Sequence, residues 1–158
     1  MRGIIPVIVS VLLLTACSSI DCPLNNTVFS KYVVSGQSGI LSDTLTVYTI
    51  NKKGKDITMI DPKANLSEFL LEMSYDQPTD TIILKLTDSL AVTRYDTLKV
   101  SKNDICHFES VECPPVFFHT LTSVEHTHNV IDSIIISKST VNYDTTAGNF
   151  KIYFKPGH

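Results

Sequence analysis

The chain has 158 residues, with 13 Lys and Arg against 16 Asp and Glu, four Cys and no Trp. That length is enough for one domain with a real core. A mildly acidic chain without a basic block argues against nucleic acid as a partner. The motifs of common hydrolases are missing: no Gly-x-Ser-x-Gly, His-Glu-x-x-His or Ser-x-x-Lys occurs, so no catalytic residues are assigned and no cofactor is expected.

Residues 1–16 have the three parts of a secretory leader. Arg2 supplies the positive start, residues 4–14 the apolar run, and Thr15-Ala16 the small residues before a cleavage point. The apolar run is too short to cross a bilayer core, which needs about 20 residues. Leu14-Thr15-Ala16-Cys17 resembles the lipobox of bacterial lipoproteins. The resemblance implies that the Cys17 thiol is acylated, with palmitate-type chains, and becomes the new amino terminus. One acyl chain holds a protein weakly to a membrane, whereas two or three hold it firmly. Ser18 is not an acidic inner-membrane retention signal, and no acidic export run follows. The expected place is therefore the outer membrane facing the periplasm, with cell-surface display as the alternative. Removing Arg2 with the leader takes Lys and Arg from 13 to 12 against 16 acids. Residues 17–25 then form a lipidated start and short tether, and residues 26–158 a single domain.

Within that domain, residues 43–50 alternate apolar and hydroxyl side chains, as a half-buried strand should. Residues 51–55 read as a turn, with Gly54 free to take positive φ, and 57–60 as the return strand. The segment 66–73 fits two templates. Leu66, Phe69, Leu70 and Met73 suit a helical face with Asn65 as N-cap, while Phe69, Leu71 and Met73 suit a strand. Its neighbours are all strands, which favours the strand. Residues 81–86, 91–100, 116–124, 131–137 and 150–154 complete the series. In the last, Phe150, Ile152 and Phe154 share one face. Many short strands without a long helical period point to an all-β fold, an antiparallel β-sandwich of immunoglobulin-like architecture.

An Asp followed by Thr or Ser and an aliphatic recurs at Asp43-Thr44-Leu45, Asp80-Thr81-Ile82, Asp88-Ser89-Leu90, Asp96-Thr97-Leu98 and Asp132-Ser133-Ile134, with Asp144-Thr145-Thr146 a looser sixth. One reading is structural: Asp closes a turn through its side chain and the following pair starts a strand. The tripeptide also resembles the O-glycosylation acceptor of Bacteroides-type bacteria, which implies glycan on at least one of Thr44, Thr81, Ser89, Thr97 or Ser133.

With Cys17 committed to lipid, Cys22, Cys106 and Cys113 allow three single-bridge pairings. Cys106 with Cys113 would close a small hairpin loop. Cys22 with Cys113 would pin the start of the domain across a long loop, and the prolines beside both (Pro23, Pro114 and Pro115) favour that pairing. His126-Thr127-His128 sets two imidazoles on one face of a strand, and His107 and His119 lie upstream. Their spacing matches no usual zinc pattern, so no metal is assigned and His126 and His128 are only weak candidates. Glu109 and Glu112 could be drawn as a glycosidase couple but read better as solvated residues. Tyr32, Tyr48, Tyr75 and Tyr95 could stack on a glycan.

Residues 17–26, Leu41-Ser42-Asp43-Thr44-Leu45-Thr46-Val47, His107-Phe108-Glu109-Ser110-Val111-Glu112-Cys113, Ile131-Asp132-Ser133-Ile134, Val141-Asn142-Tyr143-Asp144 and Lys151-Ile152-Tyr153-Phe154 are together similar to a small lipoprotein family of Bacteroides-type bacteria of unknown function. The resemblance implies an all-β lipoprotein with a recurring bridge at the positions of Cys22 and Cys113. It leaves Cys106 as an unpaired, buried thiol. The functional expectation is a lipid-anchored, non-enzymatic binding or assembly module with an envelope protein or glycan as partner. It would work through its exposed loops at 51–55 and 125–129 or through a sheet edge. The alternative is a glycan-handling or metal-binding lipoprotein.

Overall fold

The computed structural model describes Cys22 and residues 27–36, 38–51 and 54–156. The leader, Cys17 and the tether other than Cys22 lie outside the described residues. Ten strands follow in order: β1 (Phe29–Ser35), β2 (Thr44–Ile50), β3 (Asp56–Lys63), β4 (Glu68–Glu72), β5 (Thr79–Thr87), β6 (Thr93–His107), β7 (Val116–His126), β8 (Ile131–Ile136), β9 (Thr140–Val141) and β10 (Phe150–Phe154). They form a four-stranded sheet, order β4-β1-β10-β8, packed on a six-stranded sheet, order β3-β2-β5-β6-β7-β9. This is a β-sandwich, as the strand spacing predicts. All pairs are antiparallel except β1 with β10, where Tyr32 faces Phe150 and Val34 faces Ile152 in parallel register. The first and last strands thus lie side by side in the smaller sheet.

Period-two patterning drives the assembly. β5 turns Asp80, Ile82, Leu84 and Leu86 inward and Thr79, Thr81, Ile83 and Lys85 outward. β2 buries Leu45 and Val47, and β10 buries Phe150 and Ile152. At the centre Tyr32 stacks between Phe69 at 4.9 Å and Phe150 at 4.5 Å, a contact that joins three strands of the smaller sheet. Burial pushes the Tyr32 phenol well above its usual range.

The segment 66–73 is resolved in favour of the strand: Phe69, Leu71 and Met73 are buried while Leu70 is exposed. Asn65 has a φ of 56° and turns the chain in the left-handed region; it caps no helix. The expected strand at 91–100 runs on to His107. Its polar continuation Ser101-Lys102-Asn103-Asp104 pairs with β7 across a bulge after Ser101. The turn at 51–55 closes through Asn51, whose carbonyl accepts from Gly54 N and whose side-chain oxygen accepts from Lys55 N, with Gly54 at φ 74°.

A disulfide joins Cys22 to Cys113 across 91 residues, with 5.5 Å between their Cα atoms. Cys113 sits in the connection between β6 and β7, so the bridge ties the start of the chain to the tip of the longest hairpin. The remaining thiol departs from expectation. Cys106 is exposed, because it lies near the end of β6 where the hairpin has run past the opposite sheet.

Candidate binding cleft

β3 and β4 are each one edge of their sheets, with β9 and β8 at the other edges, and an open cleft runs between β3 and β4. It comprises two adjoining cavities of about 440 and 480 Å³ that share Thr49, Ile57, Met59, Glu72, Ser74 and Asp76. Ile57, Met59 and Ile82 supply apolar wall from the larger sheet, and the 74–78 loop forms the rim. Two methionines, Met59 and Met73, border the space with adaptable, polarizable side chains.

Asp80 lines this cleft and is the anchor of an ionic chain that runs from the interior to the exposed Asp104. Its Oδ2 accepts from Ser74 N at 3.3 Å and lies 3.6 Å from Lys102 Nζ. The Lys102 side chain is fully buried, donates to the Gln77 carbonyl at 2.6 Å, and lies 3.6 Å from Asp104 Oδ1. That same oxygen is 2.7 Å from Nδ1 of buried His119. β6 supplies Lys102 from its inward row, after Asp96, Leu98 and Val100, so alternation places an ammonium where an apolar residue would ordinarily stand. Burial pushes the Asp80 carboxyl up, and Lys102 with the Ser74 N–H partly offsets this. Asp80 Oδ1 and the Tyr32 hydroxyl are buried side-chain atoms with no hydrogen-bond partner. The Asp80 charge also raises the Tyr32 phenol, which places the two groups in each other's field.

A buried polar atom without a partner costs about 1–3 kcal/mol. Asp80 Oδ1 is enclosed beneath the cleft, so a donor that reaches it must displace the side chains covering it. Sequence reasoning reached His119 and the Asp of the tripeptide but missed Lys102 and Asp104. Their signal was the break in alternation along β6, visible only once the strand is known to continue.

A model of a family of unknown function, DUF6452, matches residues 44–154. The chain belongs to this family. No curated protein and no solved structure matches. The DUF6452 span covers β2 through β10, and so holds all four members of the ionic chain.

The other sequence candidates are scattered. Cys17 lies outside the described residues. Tyr32 is core, so it presents no surface to a glycan. Tyr75 is exposed at the cleft rim and stacks on Phe117 at 4.7 Å, while Tyr48 and Tyr95 lie on β2 and β6, strands separated by β5. His126 ends β7 and His128 lies beyond it in the following turn, with their rings 4.2 Å apart. Among the described residues no group of three or more His, Cys, Asp or Glu could hold a metal ion. Glu109 and Glu112 are in the β6–β7 connection, where Glu109 meets His107 at 3.1 Å.

The Asp tripeptides mostly have local structural work. Asp88 Oδ1 accepts from Leu90 N and Val92 N, Asp80 closes the 74–79 loop through Ser74 N, and Lys138 and Thr146 hold Asp144 well below the usual carboxylate range. Asp96 is the most heavily bonded. Its Oδ1 accepts from Thr127 Oγ1 and Asn129 N, and its Oδ2 from Val130 N and Ile131 N, both at 2.7 Å. Of the acceptor hydroxyls, Ser89 is exposed in a turn, whereas Thr44, Thr81, Thr97 and Ser133 are half-buried in strands.

Proposed function

We propose that the chain is a lipid-anchored envelope protein of the lipoprotein type known from Bacteroides-type bacteria. It sits in the outer membrane facing the periplasm and acts as a non-enzymatic binding module. Its cleft between β3 and β4 receives an extended segment of an envelope partner carrying a basic side chain. The observation that carries the reading is Asp80, a buried carboxylate lining the cleft with one oxygen unpartnered. Glu72 and Asp76 at the same opening add acidic character, and the apolar wall suits the stem of a long cationic side chain. Open strand edges on both sides allow backbone pairing with such a segment. The ionic chain supports holding over turnover, because the buried Lys102 and His119 side chains are both tied up in ion pairs. The leader and Cys17 support the anchor.

Titration with short extended peptides that differ only in one Lys or Glu tests the cleft. The Lys peptides should bind and the Glu peptides should not, and both Asp80→Asn and Met59→Arg should abolish binding, the second without touching the ionic chain. Equal binding of both peptide classes, or binding that survives Met59→Arg, refutes the cleft reading. A glycan-handling role would draw on exposed Tyr75 at the rim, and a soluble oligosaccharide competing with the peptides would favour it. Metabolic labelling with an alkyne fatty acid tests Cys17 separately, with loss of label expected in Cys17→Ala.

A further inference from the structure

The tip of the β6–β7 hairpin exposes several apolar side chains. Ile105 is 53% exposed, Phe108 61% and Val111 99%. Cys113 lies two residues beyond Val111 and is bonded to Cys22. Only five Cα steps separate Cys17 from Cys22, about 18 Å at full extension. A lipid on Cys17 therefore hangs within that distance of the tip. Leu90 is also prominently exposed, at 83%, but it stands in the turn before β6. β6 runs 15 residues from that turn to the tip, about 45 Å at the usual strand rise. The leash reaches one exposed apolar end of the sandwich and not the other.

We propose that the β6–β7 tip docks on the lipid surface that holds the anchor, seating Phe108 and Val111 at the headgroup boundary. This rests on the lipid-anchored reading of Cys17. Apolar side chains at such a boundary enter about 5–10 Å, with polar neighbours left among the headgroups. Glu109 and Glu112 flank Val111 and set the depth: the apolar pair enters and the carboxylates stay in the headgroup layer. Their charge also sets lipid preference, since a negative surface repels them. The tip should therefore seat on zwitterionic lipid and be lifted by anionic lipid, unlike basic membrane-binding helices. The contact fixes orientation as well as height. With the tip down, β6 and β7 stand away from the membrane and the Leu90 turn points into the aqueous space.

The chain has no Trp, so a single introduced indole is an unambiguous depth probe. The acylated full-length protein is reconstituted in phosphatidylcholine vesicles as Val111→Trp, Phe108→Trp or Leu90→Trp, and acylation of each is verified by intact mass. Blue-shifted emission quenched by brominated phosphatidylcholine is expected at positions 111 and 108, and water-like, unquenched emission at 90. Replacing part of the lipid with phosphatidylglycerol should reduce quenching at 111, and Glu109→Gln with Glu112→Gln should restore it. Acylated protein with position 111 no more quenched than position 90 overturns the docking while leaving the anchor intact; the tip would then be free for a protein partner. A mass without acyl chains overturns the anchor, and the docking with it.

Discussion

Replacing Asp96 by Asn tests the idea that the recurrent Asp is first of all a folding device. Asn is the same size but exchanges one acceptor oxygen for an NH₂ donor. In either flip the new donor faces two existing ones: Val130 N and Ile131 N on one side, Asn129 N and Thr127 Oγ1 on the other. The Val130 and Ile131 side is buried, so water cannot take over there. The Asn129 and Thr127 side is only part-buried, so the variant should sacrifice it. Two lost bonds to a charged acceptor, at about 1.5–3 kcal/mol each, give a loss of about 3–5 kcal/mol after partial rescue by water. That is a large share of the roughly 5–15 kcal/mol that holds a typical domain. The loss depends on pH with a definite sign. Desolvation of Asp96 opposes ionisation, but Thr127 and the three backbone donors outweigh it, so its folded pKa lies below the usual value. The contribution is therefore complete above the unfolded carboxyl pKa of about 3.9 and is lost as pH falls through the folded value. Urea unfolding followed by circular dichroism at pH 7 and at successively lower pH should show a wide gap between wild type and Asp96→Asn that narrows in acid. A gap under about 1 kcal/mol at pH 7, below the range for even one charged hydrogen bond, would refute the reasoning. So would a gap that stays constant into acid.

Three further outcomes are expected. In Gly148→Ala the new Cβ would sit 2.5 Å from Val33 Cγ2, so the β1–β10 neighbourhood must shift at a cost of about 1–3 kcal/mol. Adding Val33→Ala should recover part of this, and a fully stable single variant would show that the approach is looser than described. Cys22→Ser opens a loop spanning 91 residues and should lower stability by about 4–5 kcal/mol on the loop-entropy account. Unchanged urea midpoints between oxidised and reduced wild type would contradict it. For glycan, Ser89→Ala should remove more mass from the native protein than Thr44→Ala, Thr81→Ala, Thr97→Ala or Ser133→Ala, because of these five only Ser89 is exposed. A native mass equal to the lipidated polypeptide would leave the tripeptides with structural work alone.

Strand spacing made most of the sandwich legible: β2, β5, β7, β8 and β10 all fall where strands were expected, with clean period-two burial in β5. β1 was not anticipated, because Phe29-Ser30-Lys31-Tyr32 interposes a buried Ser and a Tyr where an apolar run would be diagnostic. Ser30 is accommodated by donating to the Leu71 carbonyl, and Tyr32 by two ring stacks. Both solutions need partners far along the chain. The ionic chain escaped for the same reason, since Lys102 and Asp104 look solvated until Asp80 and His119 are brought beside them. Asn149 is another case. Its side chain donates to the Lys138 and Thr140 carbonyls and accepts from Lys31 N, linking segments more than 100 residues apart. The prolines beside Cys22 and Cys113 did point to the right bridge, because rigid irregular backbone is a local property.

The Cys22–Cys113 bridge also settles where mechanical load enters the protein. A pull on the amino-terminal end passes at Cys22 through the disulfide into the β6–β7 connection. Tension then runs into the hairpin whose strands carry the longest ladder in the molecule, ten paired positions from Leu98 to His107. The parallel β1–β10 pair, only four positions long, is spared. Reduction of one bond would redirect the same pull onto that short pair and peel it first.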